Sequence, residues 1–179
     1  MKRENKKYMI AVLTAAMVTA SMTGCNSREA EKPTSTGSEI AAQTIAPKLA
    51  AIDVDKLADK IAKCGGFKDE LSVLDSELFE AQYSQVDMKT VVKECAYVGT
   101  GATTEQIAVV EAKDTDSAKK VKEALQGKIN DDIKANQDYK PEEVTKLKAP
   151  VLEVKEQYVI MVIANDKDKV EAVVESECK

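Results

Sequence analysis

The chain has 179 residues, with 26 basic against 31 acidic side chains, no histidine and only 4% aromatic residues. No basic stripe interleaved with aromatic residues appears, which argues against a nucleic-acid partner. The lack of histidine removes the commonest general base and metal ligand.

The first 24 residues have the pattern of a secretory signal peptide. Residues 1–7 carry four basic side chains and one acidic one, and residues 8–22 carry no charge. This uncharged run is shorter than the ~20 apolar residues that a helix needs to cross a bilayer. We therefore predict an export signal at residues 1–24 rather than a permanent transmembrane anchor.

Residues 22–25, Met-Thr-Gly-Cys, follow the uncharged run directly. A small residue before a cysteine at this place resembles the lipobox of bacterial lipoproteins. The resemblance implies cleavage before Cys25, a lipid thioether on its sulfur and acyl chains such as palmitate. Each buried CH₂ group contributes ~0.8 kcal/mol to membrane binding. We expect the mature chain to be anchored at the outer face of the cell membrane.

The segment after the cysteine reads as a flexible tether. Residues 25–48 are rich in Ser, Thr, Ala, Glu and Lys and contain Pro33, Gly37 and Pro47, a composition that buries too little apolar area to fold. Residues 49–179 form the predicted single α+β domain. Without residues 1–24 the chain keeps 22 basic and 30 acidic residues, so an anionic membrane repels it and the lipid must provide the anchoring.

Helices are predicted where apolar residues recur at steps of three and four. Asp53, Asp75 and Asp166 precede three of these segments and are candidate N-caps. Pro141 marks the start of one helical turn. The other predicted helices are 53–64, 75–83, 115–136 and a final helix after residue 166.

Strands are predicted where β-branched and aromatic residues cluster. They lie at 89–98, 106–113, 151–155 and 158–164. The first two flank a glycine-containing turn and the last two are almost contiguous, so each pair should form a hairpin. We predict an α+β fold with a four-stranded, largely antiparallel sheet, covered by the long helix and flanked by N-terminal and C-terminal helices.

These segments resemble an uncharacterised family of lipoproteins from clostridia and related Gram-positive bacteria, domain of unknown function 4358. The stretches that carry the resemblance are 67–71, 96–114, 138–143 and 158–164. None of them is a catalytic signature. The resemblance implies an exported, anchored protein and implies no activity.

Three groups of residues are candidates for chemistry. Residues 99–105 form a small-residue loop, but they join two strands and lack the lysine of a P-loop, which favours a plain hairpin loop. Adjacent acids could form a catalytic or calcium site, although neither glycosidase nor calcium-loop spacing is present. These adjacent acids are Asp69 and Glu70, Asp131 and Asp132, and Glu142 and Glu143.

The cysteines form the third group. Cys64, Cys95 and Cys178 are too widely spaced for a CxxC motif. Structural thiols are the favoured interpretation, and a Cys64–Cys178 disulfide requires that the ends of their two helices meet. No catalytic, metal or cofactor-binding residue is predicted, and Cys25 is the one site residue, for lipidation.

The leading hypothesis is a non-catalytic, lipid-anchored domain that binds or scaffolds a protein, a peptide or the cell wall. Its basis is a strong anchoring signal without a catalytic constellation. The alternative is a cell-envelope hydrolase, or a regulator of one, that uses loop carboxylates. That alternative depends on Asp69, Glu70 and Glu105 converging in a pocket.

Overall fold

The structure is a computed structural model that describes residues 51–179. The predicted signal peptide, the tether and Cys25 lie outside the described residues. Within the described range the chain forms five α-helices, a short 3₁₀ helix at Met88–Thr90 and five strands. The helices are α1 Val54–Ala62, α2 Ser76–Gln82, α3 Thr115–Asn136, α4 Pro141–Leu147 and α5 Lys167–Glu177. The strands are β1 Ser72–Val73, β2 Val91–Val98, β3 Gln106–Ala112, β4 Val151–Lys155 and β5 Tyr158–Ile163.

The five strands form one antiparallel sheet in the order β1-β2-β3-β5-β4. The α+β class and both predicted hairpins are confirmed, but the predicted strand number of four is wrong. The additional strand, β1, has only two residues, both exposed, and pairs with the end of β2. Two exposed residues are too few to show the alternation of apolar and polar side chains from which strands are predicted, so the sequence did not indicate this strand.

Helices cover both faces of the sheet. On one face α1 and α5 pack against Ile107, Val109 and Ile160. On the other face α2 and α3 pack against Ala108, Val110 and other inward residues of β3 and β5. Because both faces are covered, the central strands have no solvent-facing side, as all-apolar strands require.

Aspartates cap four of the helices, and Asp53, Asp75 and Asp166 are the candidate N-caps that the sequence indicates. The side chains of Asp53, Asp75, Asp114 and Asp166 each accept a hydrogen bond from the backbone N–H three residues later. Each cap satisfies an otherwise unpaired amide and places a negative charge at the positive end of a helix dipole. The helix α4 begins at Pro141 and has seven residues, twice the predicted single turn.

The three described cysteines are unbridged thiols. The backbone N–H of Asp166 donates to the carbonyl oxygen of Gly66 (2.9 Å), which places the start of α5 beside the end of α1. Cys178 follows the other end of α5, whose eleven residues span ~16 Å. The ends that carry Cys64 and Cys178 therefore do not meet. Burial raises the pKa of the Cys95 thiol to about 11, and nearby Asp55 adds to the effect, which suits an inert core thiol.

Candidate functional site

A polar cavity of about 370 Å³ lies where β2 ends and β3 begins. One wall is the β2–β3 loop, residues 99–105, together with Gln106 at the start of β3. The opposite wall is the last two turns of α3 and Lys140, just before α4. We call this cavity the cleft.

The α3 wall consists of Lys128, Asp132 and Asn136. Residues four apart lie one above the other on a helix, so all three face the cleft. The Lys128 ammonium contacts both carboxylate oxygens of Asp132, at 2.5 and 2.6 Å, with the side chains 18% and 20% exposed. The Asn136 side-chain amide donates to the Asp132 carbonyl oxygen (2.8 Å). This wall is a fixed row of polar groups.

A buried hydrogen-bond chain supports Asp132 from below. The Tyr83 hydroxyl donates to Gln106 Oε1 (3.1 Å), and Gln106 Nε2 donates to Asp132 Oδ2 (3.1 Å). Burial, together with the negative charge of Asp132, raises the pKa of Tyr83, so the phenol keeps its proton. The chain therefore fixes which end of the Gln106 amide faces Asp132.

The loop is held by Asp69 on the side away from α3. The Asp69 carboxylate accepts from the N–H and hydroxyl of Thr100, at 3.1 and 2.8 Å, and from the N–H and hydroxyl of Thr103, at 3.3 and 3.0 Å. The hydrogen bond from Thr100 is the main reason that the pKa of Asp69 lies below its usual range. A Cβ on Gly99 would lie 2.5 Å from Asp69 Oδ2, and Gly101 has a φ of +90°, so both glycines are needed for this approach.

Glu105 is the most deeply buried acid near the cleft. Its side chain is fully buried and accepts from the backbone N–H groups of Lys68 and Asp69, both at 2.8 Å. The Lys146 ammonium lies 3.3 Å from its other oxygen. A buried carboxylate is stable only when its lone pairs and charge have such partners. Glu105 thus joins three separate segments: the start of β3, residues 68–69 and α4.

Glu143 holds the same loop from α4. Its carboxylate accepts from the N–H and hydroxyl of Thr104, at 2.8 and 3.0 Å, and pairs with Lys146 at 2.8 Å. Burial disfavours the ionised form, but Lys146 and Thr104 outweigh it, so the pKa of Glu143 is lowered. The Lys146 ammonium therefore lies between two buried carboxylates and neutralises part of their charge.

Lys140 is the cation at the mouth of the cleft. Its ammonium donates to the carbonyl oxygens of Gly101 (2.6 Å) and Ala102 (3.0 Å). Among residues 51–179 no carboxylate lies within ion-pair distance of it. Lys140 occupies the N-cap position of α4, but no side chain caps that helix. Its side chain extends over the loop instead.

The structure brings together only some of the predicted candidate acids. Asp69 and Glu105 are neighbours, since the Glu105 carboxylate accepts from the backbone N–H of Asp69. Glu70 is exposed and donates its backbone N–H to Asp69. Asp132 lines the cleft, while its neighbour Asp131 is exposed and binds Gln85 and Lys134. In each of the three predicted pairs, one member is buried or partly buried and the other is exposed.

The loop itself behaves as the hairpin interpretation predicts. The backbone N–H groups of Thr100, Thr103 and Thr104 donate to the protein's own carboxylates. They are therefore not available to an external anion.

Sequence reasoning missed the lysines and amides of the cleft: Lys128, Asn136, Lys140, Lys146, Gln106 and Tyr83. The four-residue spacing of Lys128, Asp132 and Asn136 was a usable signal, because it places them on one helix face. Lys140 carried no such signal, since its partners are main-chain carbonyls distant in sequence.

Over residues 51–179, no cluster of three or more acids or cysteines is arranged to hold a metal ion. No helix of that same region is long and apolar enough to cross a membrane.

Fold and cleft together define an α+β domain in which a helix-covered antiparallel sheet carries a polar cleft at a hairpin loop. The chain belongs to the family described as domain of unknown function (DUF4358), whose model matches residues 64–164, more than half of the chain. That range contains the cleft and every residue that supports it. Neither a comparison with curated proteins nor one with solved structures found a match.

Proposed function

We propose that this protein is a non-catalytic binding domain, exported and anchored at the outer face of the cell membrane by lipid on Cys25. The cleft is the proposed binding site. The observation that carries the proposal is that the carboxylates beneath the loop are saturated by the protein's own donors. Asp69, Glu105 and Glu143 each accept three or more such contacts from backbone, hydroxyl or lysine groups.

Saturated carboxylates are poor catalysts. A general acid must hold a proton near neutral pH, which requires a raised pKa, and a general base must have a lone pair that reaches the substrate. The pKa values of Asp69 and Glu143 are instead lowered by their donors. These acids organise the loop, so the donors that hold Asp69 and Glu105 make them poorly suited to the alternative of a cell-envelope hydrolase.

The anchoring part of the proposal is supported by the sequence alone. The basic residues 1–7, the uncharged residues 8–22 and the Gly24-Cys25 junction form the pattern of a lipoprotein signal. A lipid anchor explains how an acidic domain is held at an anionic surface.

Membrane attachment is tested by changing Cys25 to Ser. We expect the Cys25→Ser protein to leave the membrane fraction and to lose metabolic labelling with palmitate. A Cys64→Ser protein, altered at a partly buried cysteine of the domain, is the matched control and should keep both. Unchanged labelling and fractionation of the Cys25 variant would contradict the anchor.

Catalysis is tested with the isosteric pair Asp69→Asn and Glu105→Gln in a strain that lacks the native gene. We expect the double variant to rescue the strain as well as Glu70→Gln does, provided that circular dichroism shows a folded protein. A double variant that fails to rescue although its urea midpoint matches that of the unchanged protein, so that the loop is intact, would favour the hydrolase and overturn the binding role.

A further inference from the structure

The chemistry of the cleft narrows the class of ligand, and this inference depends on the proposed binding role. Its volume of about 370 Å³ is at the small end of the range for ligand sites, ~300–1,000 Å³. Most ligand sites of that range have mainly apolar walls. This cleft is walled instead by lysine, aspartate, asparagine and threonine, which suits a small hydrophilic molecule.

Two ammonium groups reach the cleft with hydrogens to spare. An ammonium has three hydrogens. Those of Lys128 contact the two oxygens of Asp132, and those of Lys140 contact two loop carbonyls. Each contact uses one hydrogen, so each lysine keeps one for a ligand. The carbonyl contacts also hold the Lys140 ammonium in place before any ligand arrives, which lowers the ordering cost of binding.

The cleft also presents acceptors. Asn136 uses its amide nitrogen on the Asp132 carbonyl, which leaves its side-chain oxygen to accept from a ligand. The Thr104 hydroxyl donates to Glu143, so its own oxygen lone pairs are open. Donors with positive charge and neutral acceptors therefore line the same cleft.

The charges favour one negative group on the ligand. Lys128 and Asp132 neutralise each other, and Lys140 remains as an unpaired positive charge among the described residues. Behind the loop, Asp69 and Glu105 contribute negative charge that disfavours a dianion. A single carboxylate matches the one unpaired cation better than a phosphate does.

We propose that the cleft binds a small hydroxylated carboxylate, a sugar acid in size and chemistry. Lys140 binds the carboxylate, Lys128 donates to a ring or hydroxyl oxygen, and Asn136 and Thr104 accept from ligand hydroxyls. Thr104 belongs to the loop wall, and Lys128, Asn136 and Lys140 belong to the opposite wall, so such a ligand is contacted from both sides.

Isothermal titration calorimetry on the full-length protein in mild detergent tests this assignment. The probes are glucuronate, its uncharged counterpart glucose, and glucose phosphate. We expect saturable binding of glucuronate and at least tenfold weaker binding of glucose, since a charge-assisted hydrogen bond is worth about one to two orders of magnitude. Glucose phosphate should also bind at least tenfold more weakly, because the negative charge behind the loop disfavours a dianion.

Variants connect the binding to Lys140. We expect Lys140→Gln to weaken glucuronate binding about tenfold or more and Lys140→Arg to restore most of it. Lys122→Gln, at an exposed lysine of α3 that does not line the cleft, should have no effect. An unchanged melting temperature shows that Lys140→Gln is folded, and the arginine variant separates lost charge from a disturbed loop.

Three other titration results would contradict the proposed ligand class. Glucose binding as tightly as glucuronate, preference for glucose phosphate, or no saturable heat with any probe would overturn the ligand class. A preference for glucose phosphate that still depends on Lys140 would leave the binding role standing. Chemical conversion of a probe during the titration would overturn the non-catalytic function instead.

Discussion

The β2–β3 loop has charged residues on two sides, and the two sets differ in how their hydrogen-bonding capacity is used. On the closed side, Asp69, Glu105, Glu143 and Lys146 are directed at the protein's own amides, hydroxyls and charges. On the open side, Lys128, Asn136 and Lys140 line the cleft and leave donors or acceptors uncommitted, while Asp132 holds the Lys128 ammonium in place.

The difference separates residues that stabilise the loop conformation from residues that are free to contact a ligand. A buried charge with every partner in place stabilises one loop conformation, because losing any partner leaves an unsatisfied group. A partly exposed charge with spare hydrogens contributes little to folding but is ready to bind. The clustered acids of the closed side therefore form the frame of this site, meaning the residues that stabilise the loop. The lysines of the open side form its contact surface, meaning the residues that bind a ligand.

The sharpest test of the closed side is Glu105→Ala. Removing this buried carboxylate leaves two backbone N–H groups and part of the Lys146 charge without a partner. We expect the free energy of unfolding to fall by about 3–5 kcal/mol, measured by urea denaturation. The control Glu70→Ala, at an exposed acid, should change it by less than about 0.5 kcal/mol. Similar losses for both variants would break the distinction.

The second-largest effect should be a loss of folding stability at low pH, because the acids of the closed side become protonated. The folded-state pKa values of Asp69 and Glu143 are depressed, so their stabilising contribution is complete above the unfolded values of about 3.9 and 4.3. It is lost as the pH falls through the lower folded values. We expect the urea midpoint to fall steadily in this acid range and the Asp69→Asn protein to show a shallower fall. A parallel fall in both proteins would exclude Asp69 as a source.

A smaller loss is expected from Thr104→Val. This change removes the hydroxyl that donates to Glu143 and keeps the backbone N–H bond. We expect a loss of about 1 kcal/mol, the usual net value of one hydrogen bond, in the same denaturation assay. A loss as large as that of Glu105→Ala would mean that the loop unfolds as a unit when any one tie is cut.

The smallest effect on stability should come from the open side. Lys140→Gln removes a half-exposed charge whose contacts are two exposed loop carbonyls. We expect the free energy of unfolding to change by about 0.5 kcal/mol or less, even though glucuronate binding is weakened about tenfold or more. A large loss would place Lys140 in the frame of the site rather than on its contact surface.

Local patterns were enough to predict most of the fold. Helices and strands were found to within a few residues because apolar spacing and aspartate caps are encoded in short windows of sequence. Asp53, Asp75 and Asp166 act as the predicted caps. The two exposed residues of β1 were missed because their pairing with Tyr97 and Val98 is a long-range contact.

The site was less predictable than the fold. Glu105 was a candidate because it is an acid near a glycine loop, but nothing local shows that its side chain is buried against Lys68, Asp69 and Lys146. The loop and α3 are likewise brought together only by the sheet. Residue type showed which groups were available, and tertiary contacts decided which of them were occupied.

The antiparallel packing of α1 and α5 has a practical consequence. Ile52, just before α1, and Cys178, just after α5, belong to the same hydrophobic cluster, and Lys60 pairs with Glu177 at 2.6 Å. Both ends of the described domain therefore lie on one face of the sheet, whereas α3 and its row of cleft residues pack on the opposite face. If the domain is attached to a sensor chip or bead through a tag after Lys179, the face covered by α1 and α5 is turned to the support and the cleft is left accessible to the sample.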